Sequence, residues 1–444
     1  MEAFQGPTDS QMESGYLEAV SSFLNQTVFL SGGLIARPYC LCVRIFSVIH
    51  QFKSTCKELS FAGILLGLGI FWSVVGVIFT PTMKLYNQIL IALVYLPSLY
   101  LLCRYPQHLV ALFCSSKALW FLAVIVGWAL LSLSWSHGVE RLGVAIKREL
   151  LFTMLIVAGV FCVRKYPELV RPTLVLLGVI ASLYSLLALC LGDAFGPGRI
   201  NGFGGFLDNP NSAGYTIAFM MVLASATWPA KLSWRMVFIA MQLCSLAYVI
   251  STGSRGALLS LAAACFIFTM VGEQTARRLT ALGSLVVVVI AVIALDPQLV
   301  ARGDSYRLKL IMDGLEVAKQ NLWFGLGMGT EYGVTAGAAV LQHCHNFIVD
   351  TLIQYGVVGV VLWAAMWLYI GWLAWCMRKG PLGAVPLLTW IFASVALQFD
   401  VFVLFGRSRA VWLEVWIPLI LIAGLEANQT DAFKSSRAPV QKIT

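Results

Sequence analysis

Charged residues are scarce in this chain of 444 residues. Asp, Glu, Lys and Arg together make up 11% of it, whereas 59% of the residues are hydrophobic. A soluble globular domain carries roughly a quarter charged residues, so an ordinary soluble protein is excluded. The composition therefore predicts a protein that faces lipid over most of its length.

Paired cysteines are also missing. The 11 cysteines are scattered, mostly in apolar segments, and none forms a Cys-x-x-Cys pair. This spacing argues against a disulfide framework and against a zinc ribbon. The formal charge of +9 is spread over short loops, which indicates membrane topology and no nucleic-acid partner.

Long apolar runs dominate the chain instead. A helix needs about 20 apolar residues to cross a bilayer, and the strands of a membrane barrel would be shorter and would alternate in polarity. The predicted fold class is therefore an all-α polytopic integral membrane protein with about twelve transmembrane helices. The predicted spans are 60–79, 85–103, 118–135, 144–163, 169–191, 212–228, 234–250, 256–271, 279–295, 357–376, 384–399 and 410–425.

The distribution of cations predicts the orientation of the chain. With the N-terminus inside, 18 of the 30 Lys and Arg residues fall in cytoplasmic segments and the remaining 12 fall outside. Because cytoplasmic loops carry the excess of cations, both termini are expected in the cytoplasm. The expected divisions are an N-terminal region with room for a surface helix (1–59), nine spans (60–295), a long outward loop (296–356), three spans (357–425) and a tail (426–444).

Two outward segments carry most of the candidate chemistry. The first, 192–211, is rich in Gly and Asn, a composition that lets backbone approach a ligand but is equally typical of turns. In the second, the long outward loop, apolar residues recur at helical spacing over 306–320 and predict an amphipathic surface helix. Another short helix is expected to begin at His345 and Asn346 and to run into the span 357–376.

His345 is the candidate catalytic residue. It lies where the loop meets the next helix, and an imidazole with an unperturbed pKa of about 6.5 can take a proton from a hydroxyl. His343 could share this role and Asn346 could support it, but the pattern also fits a structural histidine that caps a helix. Two histidines flanking Cys344 resemble part of a metal site, yet zinc needs three or four protein ligands and the others are not evident. No metal is therefore predicted.

Several cations lie on the outward side, against the orientation rule. A guanidinium stays charged, and its planar fork binds phosphate oxygens bidentately, so the arginines predict an anionic ligand. Ionisable groups at the membrane end of a helix usually serve a site, although Lys147 and Arg148 could instead snorkel or pair with nearby carboxylates. The binding candidates are Arg199, Arg255, Arg302 and Arg307, with Lys147 and Arg148 in support.

Five motifs, taken in order, resemble those of the O-antigen ligase and polymerase superfamily. The resemblance covers most of the chain from residue 60 onward. The motifs are Arg199 to Asn211 ending in Asp-Asn-Pro-Asn, Ser254-Arg255-Gly256 after a span, Arg307, the Gly325–Gly329 turn, and His345-Asn346 before Tyr355-Gly-Val-Val-Gly359.

The resemblance implies a GT-C-like glycosyltransferase of the bacterial inner membrane that works without a cofactor. Its site would face the periplasm, its donor would be an undecaprenyl-pyrophosphate-linked O-antigen, and its acceptor would be a sugar hydroxyl of the lipid A–core. The essential histidine and arginines of the superfamily would map onto His345, Arg199, Arg255 and either Arg307 or Arg302.

Two alternatives stay open. The shared motifs do not separate a ligase from a polymerase, whose acceptor is another lipid-linked glycan. A lipid-linked glycan transporter would also need many helices and intramembrane cations, although the inverted repeats common in transporters are not evident in the sequence.

Overall fold

The computed structural model describes residues 61–137, 142–192, 199–203, 205–271, 307–336, 339–341, 343–399, 404–405 and 410–437, with isolated positions 275, 278, 279, 282, 283, 286 and 290. Most of these residues are helical, and the strands that the structure describes form a single two-stranded sheet. The predicted class, an all-α polytopic membrane protein, is therefore confirmed.

Before the long loop, the described helices are α1 (Phe61–Phe79), α2 (Met83–Leu90), α3 (Leu96–Arg104), α4 (Pro106–Ser115), α5 (Lys117–Ser132), α6 (Leu142–Lys165), α7 (Pro167–Leu191), α8 (Pro210–Ala224), α9 (Leu232–Ser251) and α10 (Arg255–Val271). The remaining elements are α11 (Arg307–Lys319), β1 (Val334–Ala336), β2 (Ala339–Leu341), α12 (Phe347–Met377), α13 (Val385–Ala396) and α14 (Ala410–Arg437).

The predicted spans coincide with helices wherever the structure describes them, and 279–295 lies outside the described residues apart from isolated positions. Two details differ from the prediction. A π-helical segment, Ile91–Tyr95, joins α2 to α3 within the predicted span 85–103. In addition, α4 was not predicted, and it meets α5 at an angle of 105°.

A glutamate stabilises this bend between α4 and α5. Glu426 of α14 accepts hydrogen bonds from the Ser116 hydroxyl (2.7 Å) and from the backbone amides of Lys117 (3.2 Å) and Ala118 (3.3 Å). The first amides of a helix have no partner within the helix, and a carboxylate also suits the positive end of the helix dipole. α14 therefore holds the start of α5 through one side chain.

Five helical stretches among the described residues are long and apolar enough to cross a membrane, or six if α4 and α5 count as one span. They are Phe61–Phe79, Met83–Arg104, Pro167–Leu191, Leu232–Ser251 and Phe347–Met377. α6 has 24 residues but is not among these stretches, because charged residues lie at both of its ends. Lys147, Arg148 and Glu149 lie near one end, and two further cations lie at the other. The chain is thus a multi-pass membrane protein, while the number twelve stays a prediction.

α8 lies at the centre of the helix packing. Every residue from Ala213 to Ala224 is buried, and α8 packs against α7, α9, α10, α13 and α14. Small residues allow this close approach: a Cβ at Gly178 of α7 would collide with Ala224. Membrane helices pack tightly where small residues let their backbones meet. The centre of the bundle therefore fixes α10 and α13, which carry parts of the candidate site.

The described part of the long loop begins with α11, which confirms the helix predicted over 306–320, although Leu308 of its predicted apolar face is exposed. Its buried residues Leu310, Gly314 and Ala318 lie on one side, and the helix packs on α12. The β1–β2 hairpin that follows was not predicted. Asp313 of α11 accepts hydrogen bonds from the Thr335 hydroxyl and its backbone amide, and these bonds lower the pKa of Asp313. The described part of this loop is therefore folded.

α12 begins after Asn346 and continues into the predicted span 357–376, as expected, but it is broken at Gly356 (φ 66°, ψ −171°). The break leaves backbone groups of α12 without their helical hydrogen-bond partners, and the backbone of the glycine-rich segment 322–329 supplies new partners. The bonds join Leu326 N to Ile353 O (2.8 Å), Gly327 N to Gln354 O (2.9 Å) and Val357 N to Leu322 O (2.8 Å). The glycines at 325, 327 and 329 therefore fit the loop into the kink of α12.

Candidate functional site

His345 occupies a strained turn immediately before α12. Among the described non-glycine residues, His345 alone has a positive φ, 53°. Such a conformation costs of order 1–3 kcal/mol and persists only where the surroundings enforce it. The half-buried imidazole packs edge-on against His343, with 4.1 Å between ring centroids. The turn thus fixes where the His345 side chain lies and brings the two candidate histidines together.

Asn346 attaches this turn to two helices. Its Oδ1 accepts the backbone amides of Ile348 and Val349, both at 3.1 Å, and so caps α12. Its Nδ2 donates to Oε1 of Gln398 (3.3 Å), which follows α13. The cap explains why α12 starts here, because Asn is among the best N-cap residues. The link to Gln398 ties the His345 turn to the end of α13.

Arg199 lies against the turn that joins α9 to α10. Its Nε donates to the backbone oxygen of Thr252 (2.6 Å), and its guanidinium also donates to Oδ1 of Asn211. Gly253 in this turn has φ 60°, and a Cβ there would approach the Arg199 side chain at 3.3–3.6 Å. Arg199 and the 252–256 turn, separate motifs in the sequence, are therefore in direct contact.

Arg255 is the first residue of α10 and is half-buried. The helix start is tightly packed, because a Cβ at Gly256 would collide with the Tyr215 hydroxyl and approach Cβ of Phe399 at 3.2 Å. Arg255 and Arg199 are thus held by the same short turn. This arrangement explains why Gly256 follows the arginine directly.

Arg307 reaches the same neighbourhood from the loop. Its guanidinium carbon lies 5.5 Å from the centre of the Phe399 ring, a cation–π contact. Phe399 therefore separates Arg307 of α11 from the Gly256 position of α10, touching both. The loop arginine therefore contacts an aromatic residue that also packs against the start of α10.

One segment, 397–399, connects these parts. The Leu397 oxygen accepts the Phe347 amide (3.0 Å), Gln398 binds Asn346, and Phe399 contacts Arg307 and packs beside Gly256. The histidine turn, the loop arginine and the 252–256 turn that binds Arg199 therefore meet around the end of α13. We call this set the α13 junction. It brings His345, Arg199, Arg255 and Arg307 into one region of the fold.

Three further candidates, Lys147, Arg148 and Arg302, remain to be placed. Lys147 is exposed, whereas Arg148 and the buried Glu149 lie near Tyr355, beside the kink of α12. No described contact links Lys147 or Arg148 to the α13 junction. Arg302 lies outside the described residues. Within the described chain, no group of three or more His, Cys, Asp or Glu side chains is arranged to hold a metal ion.

Cys344 is a packing residue between the two histidines. Its side chain is fully buried, and a Cβ at Gly314 of α11 would collide with its Sγ. Burial raises the pKa of the Cys344 thiol to about 12, and the negative charge of Asp313 adds to this effect. A thiol that stays protonated is a poor nucleophile and a poor metal ligand. Cys344 therefore docks α11 beneath the histidine turn.

The sequence did not single out Gln398 and Phe399, because both end an apolar predicted span. The available signal was a polar Gln at position 398, two residues before Asp400, in a segment otherwise suited to lipid. A polar side chain at the end of a span often has a partner within the protein. The partner, Asn346, is 52 residues away, so spacing alone could not identify it.

Comparison with known proteins agrees with the motifs. A sequence profile of the family described as O-antigen ligase matches residues 239–364, a stretch that contains Arg255, Arg307 and His345. An O-antigen ligase of Pseudomonas aeruginosa is 26% identical over 377 residues, covering 83% of this chain and 92% of that relative. The resemblance to the O-antigen ligases predicted from the sequence is thus confirmed.

Among solved structures, similarity is found to a chain from the structure described as "Structural coordination of polymerization and crosslinking by a peptidoglycan synthase complex". The TM-score is 0.40 at 16% identity, and the match covers 70% of this chain and 98% of that one.

Proposed function

We propose that this chain, which the sequence comparisons relate to the O-antigen ligases, transfers a glycan from undecaprenyl pyrophosphate to a sugar hydroxyl of the lipid A–core. The observation that carries the proposal is the α13 junction. It gathers a histidine and three arginines from four separate parts of the chain. A general base next to a set of phosphate-binding groups suits transfer from a lipid pyrophosphate.

In the proposed mechanism, His345 takes the proton of the acceptor hydroxyl as its oxygen attacks the anomeric carbon of the donor sugar. The new glycosidic bond forms while the bond from that carbon to the pyrophosphate breaks, and the bonding electrons leave with the phosphate oxygen. Direct displacement of this kind inverts the anomeric carbon. His343 and Asn346 support His345 through the ring contact and the helix cap.

The arginines receive the leaving group. Arg199, Arg255, Arg307 and the loop residue Arg302 bind the pyrophosphate, with Lys147 and Arg148 supporting at the membrane end of α6. Their fixed charges neutralise the negative charge that grows on the departing phosphate. Since the lipid pyrophosphate already activates the sugar, the reaction needs no nucleotide and no cofactor.

The arginines also make a divalent ion unnecessary in this mechanism, so transfer should survive EDTA. The measurement is the initial rate of purified protein with and without the chelator. Activity that EDTA abolishes, and that Mg²⁺ or Mn²⁺ restores, would overturn the metal-independent mechanism.

The proposed setting is the bacterial inner membrane, with about twelve spans in a GT-C-like arrangement, both termini in the cytoplasm and the site facing the periplasm. Labelling with a membrane-impermeant reagent tests this orientation, using single cysteines introduced into a variant whose 11 native cysteines have been replaced. Val340, which is 70% exposed in the loop hairpin, should become labelled from outside the membrane when replaced by Cys. A Cys in place of the exposed Lys379, which follows α12, should not.

A lipopolysaccharide gel of a deletion strain tests the reaction itself. Loss of a ligase removes the whole ladder, whereas loss of a polymerase leaves core carrying a single repeat. A transporter is tested by adding donor and acceptor to the purified protein in detergent, where no sealed compartment exists. Product formed under those conditions requires an enzyme, and its absence with folded protein would contradict the proposal.

A further inference from the structure

A carboxylate that the proposed mechanism does not use lies directly beneath the His345 turn. Asp350, in the first turn of α12, is 1% exposed. Its Oδ1 accepts the backbone amide of Cys344 at 3.4 Å, and the amide of Asn346 also interacts with this carboxylate. The two amides that flank His345 are therefore directed at one side chain.

This arrangement accounts for the unusual backbone of His345. When a residue adopts positive φ, the amides around it can converge and form a concavity that binds an anion. Here the hydrogen-bond acceptor is supplied by the chain itself, in the side chain of Asp350 five residues further on. A buried carboxyl group is costly unless hydrogen bonds compensate it, and these amides supply part of that compensation, while its Oδ2 has no hydrogen-bond partner among the described residues. The turn and the carboxylate thus depend on each other.

We propose that Asp350 is a positioning residue for His345. By binding the amides on both sides, its carboxylate holds His345 in the left-handed conformation and so fixes where the imidazole meets the acceptor hydroxyl. Asn346 and the Gly314–Cys344 packing fix the position of the turn as a whole, whereas Asp350 fixes its internal conformation. The proposal rests on the proposed function, in which His345 is the general base.

The experiment uses the full-length protein in detergent and compares Asp350→Ala, Asp350→Asn and the control Thr351→Val. Thr351 is the next residue of α12, is 2% exposed and makes no described contact with the His345 turn. The measurements are turnover, binding of undecaprenyl pyrophosphate, and hydrogen–deuterium exchange of a peptide covering 343–349. Asp350→Ala should raise exchange in this peptide and lower turnover by about 10- to 100-fold, the effect expected from a small misplacement of a catalytic group.

The other two variants should show smaller effects than Asp350→Ala. In Asp350→Asn the amide oxygen still accepts one hydrogen bond, so turnover should lie between wild type and Asp350→Ala. In Thr351→Val turnover and exchange should match wild type. Binding of undecaprenyl pyrophosphate should change by less than about twofold in all three, because Asp350 acts on the base and not on the arginines.

A double substitution separates a positioning role from general destabilisation. In a His345→Ala background, Asp350→Ala should cause no further loss of turnover, because the residue on which Asp350 acts is already absent. An equal loss in both backgrounds, or unchanged exchange in 343–349, would overturn the positioning role. Wild-type turnover of His345→Ala alone would instead reject His345 as the base, and the catalytic role of Asp350 with it.

Discussion

Asn346 donates a hydrogen bond from its side-chain amide to Gln398, 3.3 Å away, while its oxygen caps α12. One side chain therefore starts the helix that follows His345 and ties this start to the end of α13. The two functions use different atoms of the same amide. They can be separated by substitution.

Asn346→Asp keeps the capping oxygen but removes the donor to Gln398, whereas Asn346→Ala removes both. We expect Asn346→Ala to be less stable than Asn346→Asp by about 1 kcal/mol, the usual value of an N-cap. Turnover should fall in both, because both lose the tether of the His345 turn. Thermal unfolding and initial rates measure the two effects.

Gln398→Leu controls for the added charge of Asn346→Asp. It removes the side-chain acceptor but keeps the backbone oxygen of Gln398, to which Asn346 Nδ2 also donates at 3.5 Å, so its turnover should lie between wild type and Asn346→Asp. Wild-type turnover in both Gln398→Leu and Asn346→Asp would mean that the bonds from Asn346 to Gln398 do not position the histidine.

His345 is the centre of the second prediction. If it is the general base, His345→Ala should lower turnover by roughly 10²- to 10⁴-fold, because the imidazole that takes the proton of the acceptor hydroxyl is lost. Binding of undecaprenyl pyrophosphate should be nearly intact. His343→Ala should cause a smaller loss, since His343 contacts the ring of His345 without replacing it. Near-normal turnover of His345→Ala would reject the catalytic role even though the family resemblance stands.

Arg199 and Arg255 should behave differently from His345. Substitution by Ala should weaken binding of undecaprenyl pyrophosphate as well as turnover, because a fixed charge at the leaving group is lost. Lys should restore binding only in part, since a point charge cannot replace the planar fork. Isothermal titration and initial rates on each variant give both quantities.

Arg235 provides a matched control for Arg199. It also donates hydrogen bonds to backbone oxygens, those of Pro229 (2.8 Å) and Ala230 (3.0 Å), but it lies at the opposite end of α9 from the 252–256 turn. Arg235→Ala should leave donor binding and turnover unchanged. Equal losses in Arg199→Ala and Arg235→Ala would indicate that both arginines only hold the fold together.

Local patterns in the sequence were sufficient for most of the helices. Apolar runs of membrane-spanning length predicted the described spans, and the helical spacing of Leu308, Ile311 and Leu315 predicted α11. The start of α12 was also predictable, because an Asn before an apolar run is a strong N-cap. Each of these features depends on residues close together in the chain.

Contacts between distant residues could not be predicted in the same way. The glycines at 325, 327 and 329 predicted a turn, but the sequence did not indicate that this turn binds the backbone carbonyls exposed by the kink at Gly356. Likewise, Asn346 binds Gln398 across 52 residues, and Arg199 binds a turn 53 residues later in the chain. Which polar group meets which depends on how the helices pack, and a single sequence does not encode that as a local pattern.

Gly356 offers a direct test of the kink in α12. Its φ and ψ are open essentially to glycine alone, and an added Cβ would collide with the backbone oxygen of Trp323. Gly356→Ala therefore combines backbone strain with a collision, and we expect a loss of about 2–5 kcal/mol. The collision would also push segment 322–329 out of the kink. Turnover should fall with stability, because the same segment borders the helix that carries the His345 turn.

Gly383 separates strain from collision. It also has a positive φ, 60°, but nothing lies within 4 Å of its Cβ position. Gly383→Ala should therefore cost only the backbone term, about 1–2 kcal/mol, and should leave turnover unchanged. Thermal unfolding in detergent compares the two variants. If Gly356→Ala is no less stable than Gly383→Ala, the contact between segment 322–329 and the kink contributes nothing, and the kink is a property of the α12 backbone alone.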